Sequence, residues 1–223
     1  MSWTDRQSIR VIEALRDKYN IKHFVETGTF KGINAELHTT KFDWVWTCEK
    51  VKKYYDIASK RQTMNMIMHH GDSSNFLSGF NRVGSAKLFY LDAHFYDPKL
   101  PKGKGKFVIL KELKALKDYG KCVIVIHDFD NNLGHITYDG ISLDMKLIKK
   151  DLLKIYPKFR FYTNTLASCD IMKPKETKDK VKLENLKYAW KTPRLTYRGL
   201  LYCTPTRLTS KEQRELGLRE WNG

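Results

Sequence analysis

A chain of 223 residues fits one domain, large enough to bury a core without disulfides or metals. Its 41 basic against 25 acidic residues leave a formal charge of +16 that favours anionic partners such as nucleic acid, sugar nucleotides or acidic glycans, although the charge is spread along the chain and forms no nucleic-acid arm. Cys48, Cys122, Cys169 and Cys203 lack C-x-x-C spacing, no apolar run nears the roughly 18 residues of a bilayer span, and the N-terminus has no signal pattern, so the expectation is a soluble, cytoplasmic protein with no membrane partner.

Thr4 and Gln7 form a capping box, after which Ile9, Ile12, Leu15 and Tyr19 share one helical face. A β-type run over 21–25 then leads into Glu26-Thr27-Gly28-Thr29-Phe30-Lys31-Gly32, and a helical pattern opens at 33. This is a strand, a tight turn and a helix N-terminus. Glycine suits such a turn because positive φ and close backbone approach are open to it, and the helix start offers N–H groups to a ligand. A dinucleotide fingerprint would read G-x-G-x-x-G, whereas this chain reads E-x-G-x-x-x-G. The acid before the turn would repel a phosphate but accepts hydrogen bonds from a cationic amino-acid end.

A second strand over 44–48 ends at Glu49, about 20 residues past Gly28, the separation that brings a carboxylate to the neighbouring strand tip within reach of a ribose. A helix over 51–61 and a strand over 64–68 lead to His69-His70-Gly71-Asp72-Ser73; adjacent strand residues face opposite ways, so the two histidines do not ligate one metal. A short helix over 73–80 and a strand over 86–91 end in Asp92-Ala93-His94, followed by a Lys/Gly/Pro loop at 97–106 that reads as a lid at the rim. A helix over 107–119 precedes the wholly apolar strand 122–126, which runs into His127 and Asp128. Beyond it come a helix over 142–156, strands over 159–162 and 199–203, a capped helix over 210–216, and a basic insertion at about 163–198. No second domain is visible.

The expected fold is α/β, a doubly wound Rossmann-like sheet with ligands at the carboxyl ends of its strands. Every parallel strand then delivers an acid to one rim: Glu26, Glu49, Asp72, Asp92 and Asp128, with His94 and His127 beside the last two. His94 or His127 is suited to act as a general base, since imidazole titrates near working pH.

The Glu26 to Gly32 turn resembles the first motif of class I S-adenosylmethionine-dependent methyltransferases. Tyr90-Leu91-Asp92-Ala93-His94 and Val123-Ile124-Val125-Ile126-His127-Asp128 are similar to the branch holding sugar and macrolide O-methyltransferases. The resemblance spans roughly residues 21 to 130 and implies a methionine-binding turn at Glu26, Thr27, Gly28, Thr29 and Gly32. It also implies seven strands in the order 3-2-1-4-5-7-6, the last antiparallel. It further implies ribose contact at Glu49, adenine contact at Asp72 and Ser73, a cofactor contact at Asp92, and a Mg²⁺ or Mn²⁺ site at Asp92 and Asp128, where a hard cation would orient an acceptor hydroxyl and lower its pKa. The expected activity is O-methylation of a sugar, glycan or similar small acceptor. Two alternatives stay open: a nucleic-acid methyltransferase using the basic surface, and a methyltransferase-like fold serving as a binding module.

Overall fold

The computed structural model describes residues 6–80, 86–93, 108–131, 142–165 and 199–221. His94, the 97–106 loop and nearly all of the basic insertion lie outside the described residues. In chain order the elements are α1 (Arg6–Tyr19), β1 (His23–Thr27), α2 (Ile33–Thr39), β2 (Trp44–Glu49), α3 (Lys52–Ser59), β3 (Met66–His70), α4 (Ser73–Ser78) and β4 (Lys87–Leu91). There follow α5 (Val108–Ala115), β5 (Val123–Ile126), α6 (Met145–Ile155), β6 (Arg160–Asn164), β7 (Leu201–Thr204), α7 (Ser210–Leu216) and β8 (Leu218–Glu220).

The sheet order is β3-β2-β1-β4-β5-β7-β6-β8. Strands β1 to β5 are mutually parallel, and β7 runs antiparallel to both β5 and β6. Among the described residues the sheet therefore has eight strands, not the expected seven. The extra one, β8, is three residues long, follows Gly217 at φ 61, and pairs antiparallel with β6. So short a run, reading Leu-Arg-Glu, has no alternation by which to announce itself.

Both faces of the sheet are covered, which is why β5 is apolar at every position and β1 and β4 carry apolar residues through their middles. Phe24, Leu88, Tyr90, Val123 and Val125 pack on one face with Val11, Ile12 and Leu15 of α1 and Ala35 of α2. Val25, Phe89, Leu91, Ile124 and Ile126 pack on the other with Leu77 of α4, Ile109 and Leu113 of α5, and Ile148 and Leu152 of α6. The chain works outward from β1 through β2 to β3, then returns to place β4 on the opposite side of β1. The strand order thus reverses between β1 and β4, and the crevice that such a reversal opens lies at their carboxyl ends. No helix among the described residues is long and apolar enough to cross a membrane.

Candidate cofactor and metal site

Strand β1 extends two residues further than its apolar run, so Glu26 and Thr27 are paired strand residues and the turn begins at Gly28. Gly28 has φ 79, and a Cβ there would stand 2.6 Å from the main-chain oxygen of Asp92. Only glycine meets both conditions, and its presence lets the β1 turn press directly on the β4 tip. Gly32, φ 77, precedes α2 and packs closely on Ala58 of α3. The turn's amides are engaged within the chain. Gly28 and Thr29 donate to the Cys48 carbonyl (3.0 and 3.1 Å), Gly32 donates to the Thr29 carbonyl (2.9 Å), and Phe30, itself at φ 51, donates to Glu49 Oε2 (2.7 Å). Where the sequence suggests amides on offer, these four are spent on holding the turn's shape, and the chemistry of the site rests on its acids.

Alternation along β1 sends Glu26 and Thr27 to opposite faces of the sheet. Glu26 is buried under α2, accepting from Asn34 Nδ2 and Thr47 Oγ1, each at 2.7 Å. Burial pushes its pKa up to about 8 against the pull of those two bonds, and the nearby acids Asp92 and Glu49 push the same way. The Thr29 and Thr47 hydroxyls share a further hydrogen bond, so Glu26, Thr47 and Thr29 form one buried chain. Glu49 ends β2 with both carboxylate oxygens in use, Oε2 on the Phe30 amide and Oε1 on the Val51 amide (2.7 Å), tying the turn to the start of α3.

On the other face, Thr27 Oγ1 accepts the Asp92 amide at 3.2 Å. Thr27 and Ser73 face Glu112 of α5, a residue that sequence reasoning missed. Glu112 is fully buried, and neither of its carboxyl oxygens has a well-directed hydrogen bond, although the two hydroxyls are near enough to favour its charged form. Burial pushes its pKa up to about 7, and Asp92 and Asp72 add to that. A signal was present: Ile109, Glu112, Leu113 and Leu116 are spaced i, i+3, i+4, i+7, which puts an acid on the core stripe of the helix. Phasing the stripe on Val108 and Leu110 hides it. Asp72 stands further along the rim, where it caps α4 through Ser74 N (3.0 Å) and pairs with Lys50.

The tips of β4 and β5 supply the remaining cluster. His127 Nδ1 lies 3.0 Å from Asp92 Oδ1 and 3.2 Å from Asp128 Oδ1, and all three groups offer one donor atom within 4.8 Å of the others. Burial disfavours the imidazolium, but the two carboxylates outweigh it and raise His127 to about 10. Asp128 adopts φ 57, a left-handed conformation that costs a non-glycine residue roughly 1–2 kcal/mol. Its neighbours hold it there: Phe129 N donates to Gly199 O, Asp130 N to Leu143 O, and Arg219 Nη2 to Asn131 O. Gly199 cannot be larger, since a Cβ would fall 1.8 Å from the Phe129 carbonyl oxygen.

The fold therefore brings Glu26, Thr27, Gly28, Thr29, Glu49, Asp92, His127 and Asp128 to the carboxyl ends of adjacent strands, with Ser73 joined through Glu112. Gly32 serves the packing of α2 on α3.

No protein-family model matches the sequence, and no curated protein matches it. Solved structures do. The chain is similar to precorrin 8W decarboxylase from Methanobacterium thermoautotrophicum, with TM-score 0.53 and 11% identity over 92% of this chain and 93% of that one. It is similar to a Klebsiella pneumoniae protein described provisionally as an O-methyltransferase, with TM-score 0.51 and 9% identity over 89% and 80%. A third is the plantazolicin methyltransferase BamL, solved with a triazolic desmethylPZN analog and S-adenosylhomocysteine, with TM-score 0.50 and 14% identity over 90% and 85%. The fold is that of the class I S-adenosylmethionine-dependent methyltransferases. A decarboxylase among these structures is a reminder that this fold carries more than one chemistry.

Proposed function

We propose that the protein is an S-adenosylmethionine-dependent O-methyltransferase, assisted by a divalent metal and acting on a hydroxyl of a sugar, glycan or similar small acceptor. The observation that carries this reading is the convergence of Glu26, Glu49 and Asp92 around a glycine turn at the point where strand order reverses. The residues fit such a cofactor: Glu26 accepts hydrogen bonds and answers to neutral partners, as a receptor for an ammonium group should, and Glu112 is a buried carboxyl with no directed partner.

Asp92, Asp128 and His127 fit a divalent cation, two hard oxygen donors and one imidazole nitrogen in mutual reach. When bound, such an ion acidifies and orients an acceptor hydroxyl. The chain's own residues set the conditions. Asp92, the more exposed of the two acids, faces the crevice and is placed to accept the acceptor's proton. His127 holds the two carboxylates together through Nδ1 as long as its ring carries both protons, and to ligate a cation through that atom it would give up the Nδ1 proton.

Calorimetry with S-adenosylmethionine, followed by a crystal structure with S-adenosylhomocysteine and Mn²⁺, tests both halves. A nucleoside seated away from Gly28 and Glu49, or no binding at all, ends the enzyme reading. The charge of +16 supports a second reading, a nucleic-acid acceptor. Steep weakening of oligonucleotide binding with salt would favour it.

A further inference from the structure

We infer that the buried carboxyls on either side of the β1 tip, Glu112 above all, make the crevice select a cationic sulfonium nucleoside over the neutral thioether nucleoside that remains after transfer. This rests on the cofactor reading above. In the reaction the methyl carbon–sulfur bond breaks, its electron pair stays on sulfur, and the methyl carbon bonds to the acceptor oxygen, whose proton passes to Asp92. The ligand in the crevice has then lost one positive charge.

The surroundings of the two acids carry the inference. Glu26 faces Asn34, Thr47 and the acids Asp92 and Glu49; Glu112 faces Ser73, Thr27 and the acids Asp92 and Asp72. Among the described residues, the groups that act most strongly on each are thus neutral or acidic. Glu112 is wholly shielded from water and has both oxygens without a directed donor, an arrangement unfavourable to a buried carboxylate on its own. A positive charge arriving in the crevice relieves it, whereas a neutral ligand does not. Because the group is buried, solvent and salt screen this effect little.

Thr27 gives Glu112 a second connection to the site, since its hydroxyl accepts the Asp92 amide. A purely supporting role for Glu112 would act through that contact and would affect both ligands alike. Charge selection affects one.

The test measures dissociation constants of S-adenosylmethionine and S-adenosylhomocysteine by calorimetry for the wild type, Glu112→Gln and a surface control, Glu36→Gln. Glutamine keeps the shape and removes the charge, and a thermal melt establishes that each variant is folded. The expected result is that Glu112→Gln weakens S-adenosylmethionine about tenfold relative to S-adenosylhomocysteine, about one pKa unit's worth of interaction, while Glu36→Gln leaves the ratio unchanged. Equal losses for both ligands, or an unchanged ratio, overturn the inference and leave the cofactor reading standing. Failure of the wild type to bind either ligand overturns the cofactor reading and this inference with it.

Discussion

The two ends of the same parallel strands carry opposite chemistry. At their carboxyl ends stand Glu26, Glu49, Asp92 and Asp128; at their amino ends a cleft of about 360 Å³ is lined by Lys18, Lys87 and Lys121 with Tyr19, Asn20 and Ile21. Lys87 opens β4 and is largely buried, which lowers its pKa, and its ammonium lies 5.9 Å from the Tyr119 ring centre. Lys18 is held by Glu212. The cleft is well formed, but it is far from the strand-order reversal and holds neither acids nor a glycine turn, so we do not place the reaction there. The contrast shows that net charge says little about a site: a chain of +16 concentrates acids at the carboxyl-end rim of its sheet.

The comparison is broken most directly at the acid end. Asp92→Ala or Asp128→Ala should reduce turnover by about 10²-fold or more with little loss of S-adenosylhomocysteine affinity, measured by steady-state kinetics and calorimetry. Equal losses in both quantities would show that these acids only support the cofactor. Next in size, Gly28→Ala adds a Cβ 2.6 Å from the Asp92 carbonyl oxygen at a φ of 79. A destabilisation of about 2–3 kcal/mol in urea melts is expected; a loss under about 0.5 kcal/mol would mean that β1 and β4 separate easily.

A smaller effect comes from pH. Glu26 and Glu112 sit near 8 and 7 when folded against an ordinary 4.5, so between these values the folded chain holds protons that the unfolded chain has released. Stability gained from this source is greatest below pH 4.5 and is lost as pH rises toward 8, by about 1–2 kcal/mol per group after allowance for relaxation. His38 acts in the opposite direction. It is buried between Phe24 and Phe42, and burial lowers it from 6.5 to about 3, so it costs stability as pH falls below 6.5. Melts of Glu26→Gln and His38→Phe across pH 4 to 9 should each flatten one limb of the profile, and unchanged limbs would refute the assignment. The smallest effect is expected at the basic end: Lys121→Ala should leave cofactor affinity within about twofold, since the length of β4, roughly 13 Å at about 3.3 Å per residue, separates the cleft from the acid rim and exceeds a Debye length of roughly 8–10 Å.

Much of this was legible in the residues, and the failures have physical causes. The bounds of α2 and the start of β2 follow from Gly32 and from the aromatic run at Trp44, since a turn-forming glycine and a β-favouring cluster are local signals. The acids of the rim were found because a parallel sheet sends its strand ends to one side. Strand ends themselves shifted: β1 runs to Thr27 and β3 to His70, past the last apolar residue, because ladder pairing with β2 extends strands whatever their side chains. Glu112 was missed because a buried acid looks like a surface acid until the helix is phased against its sheet. The left-handed Asp128 depends on contacts with Leu143 and Gly199, distant in sequence, which no local pattern encodes.

Strands β6 and β7 pair side by side, with Thr163 opposite Leu201, and the Thr163 hydroxyl and the Asn164 carboxamide both bond to Leu200. The chain thus leaves the sheet after β6 and rejoins it at β7 through a single clasped gateway. The gateway stands beside the corner where Asp128 is held, since Gly199 accepts the Phe129 amide and Asn131 donates to Asn164.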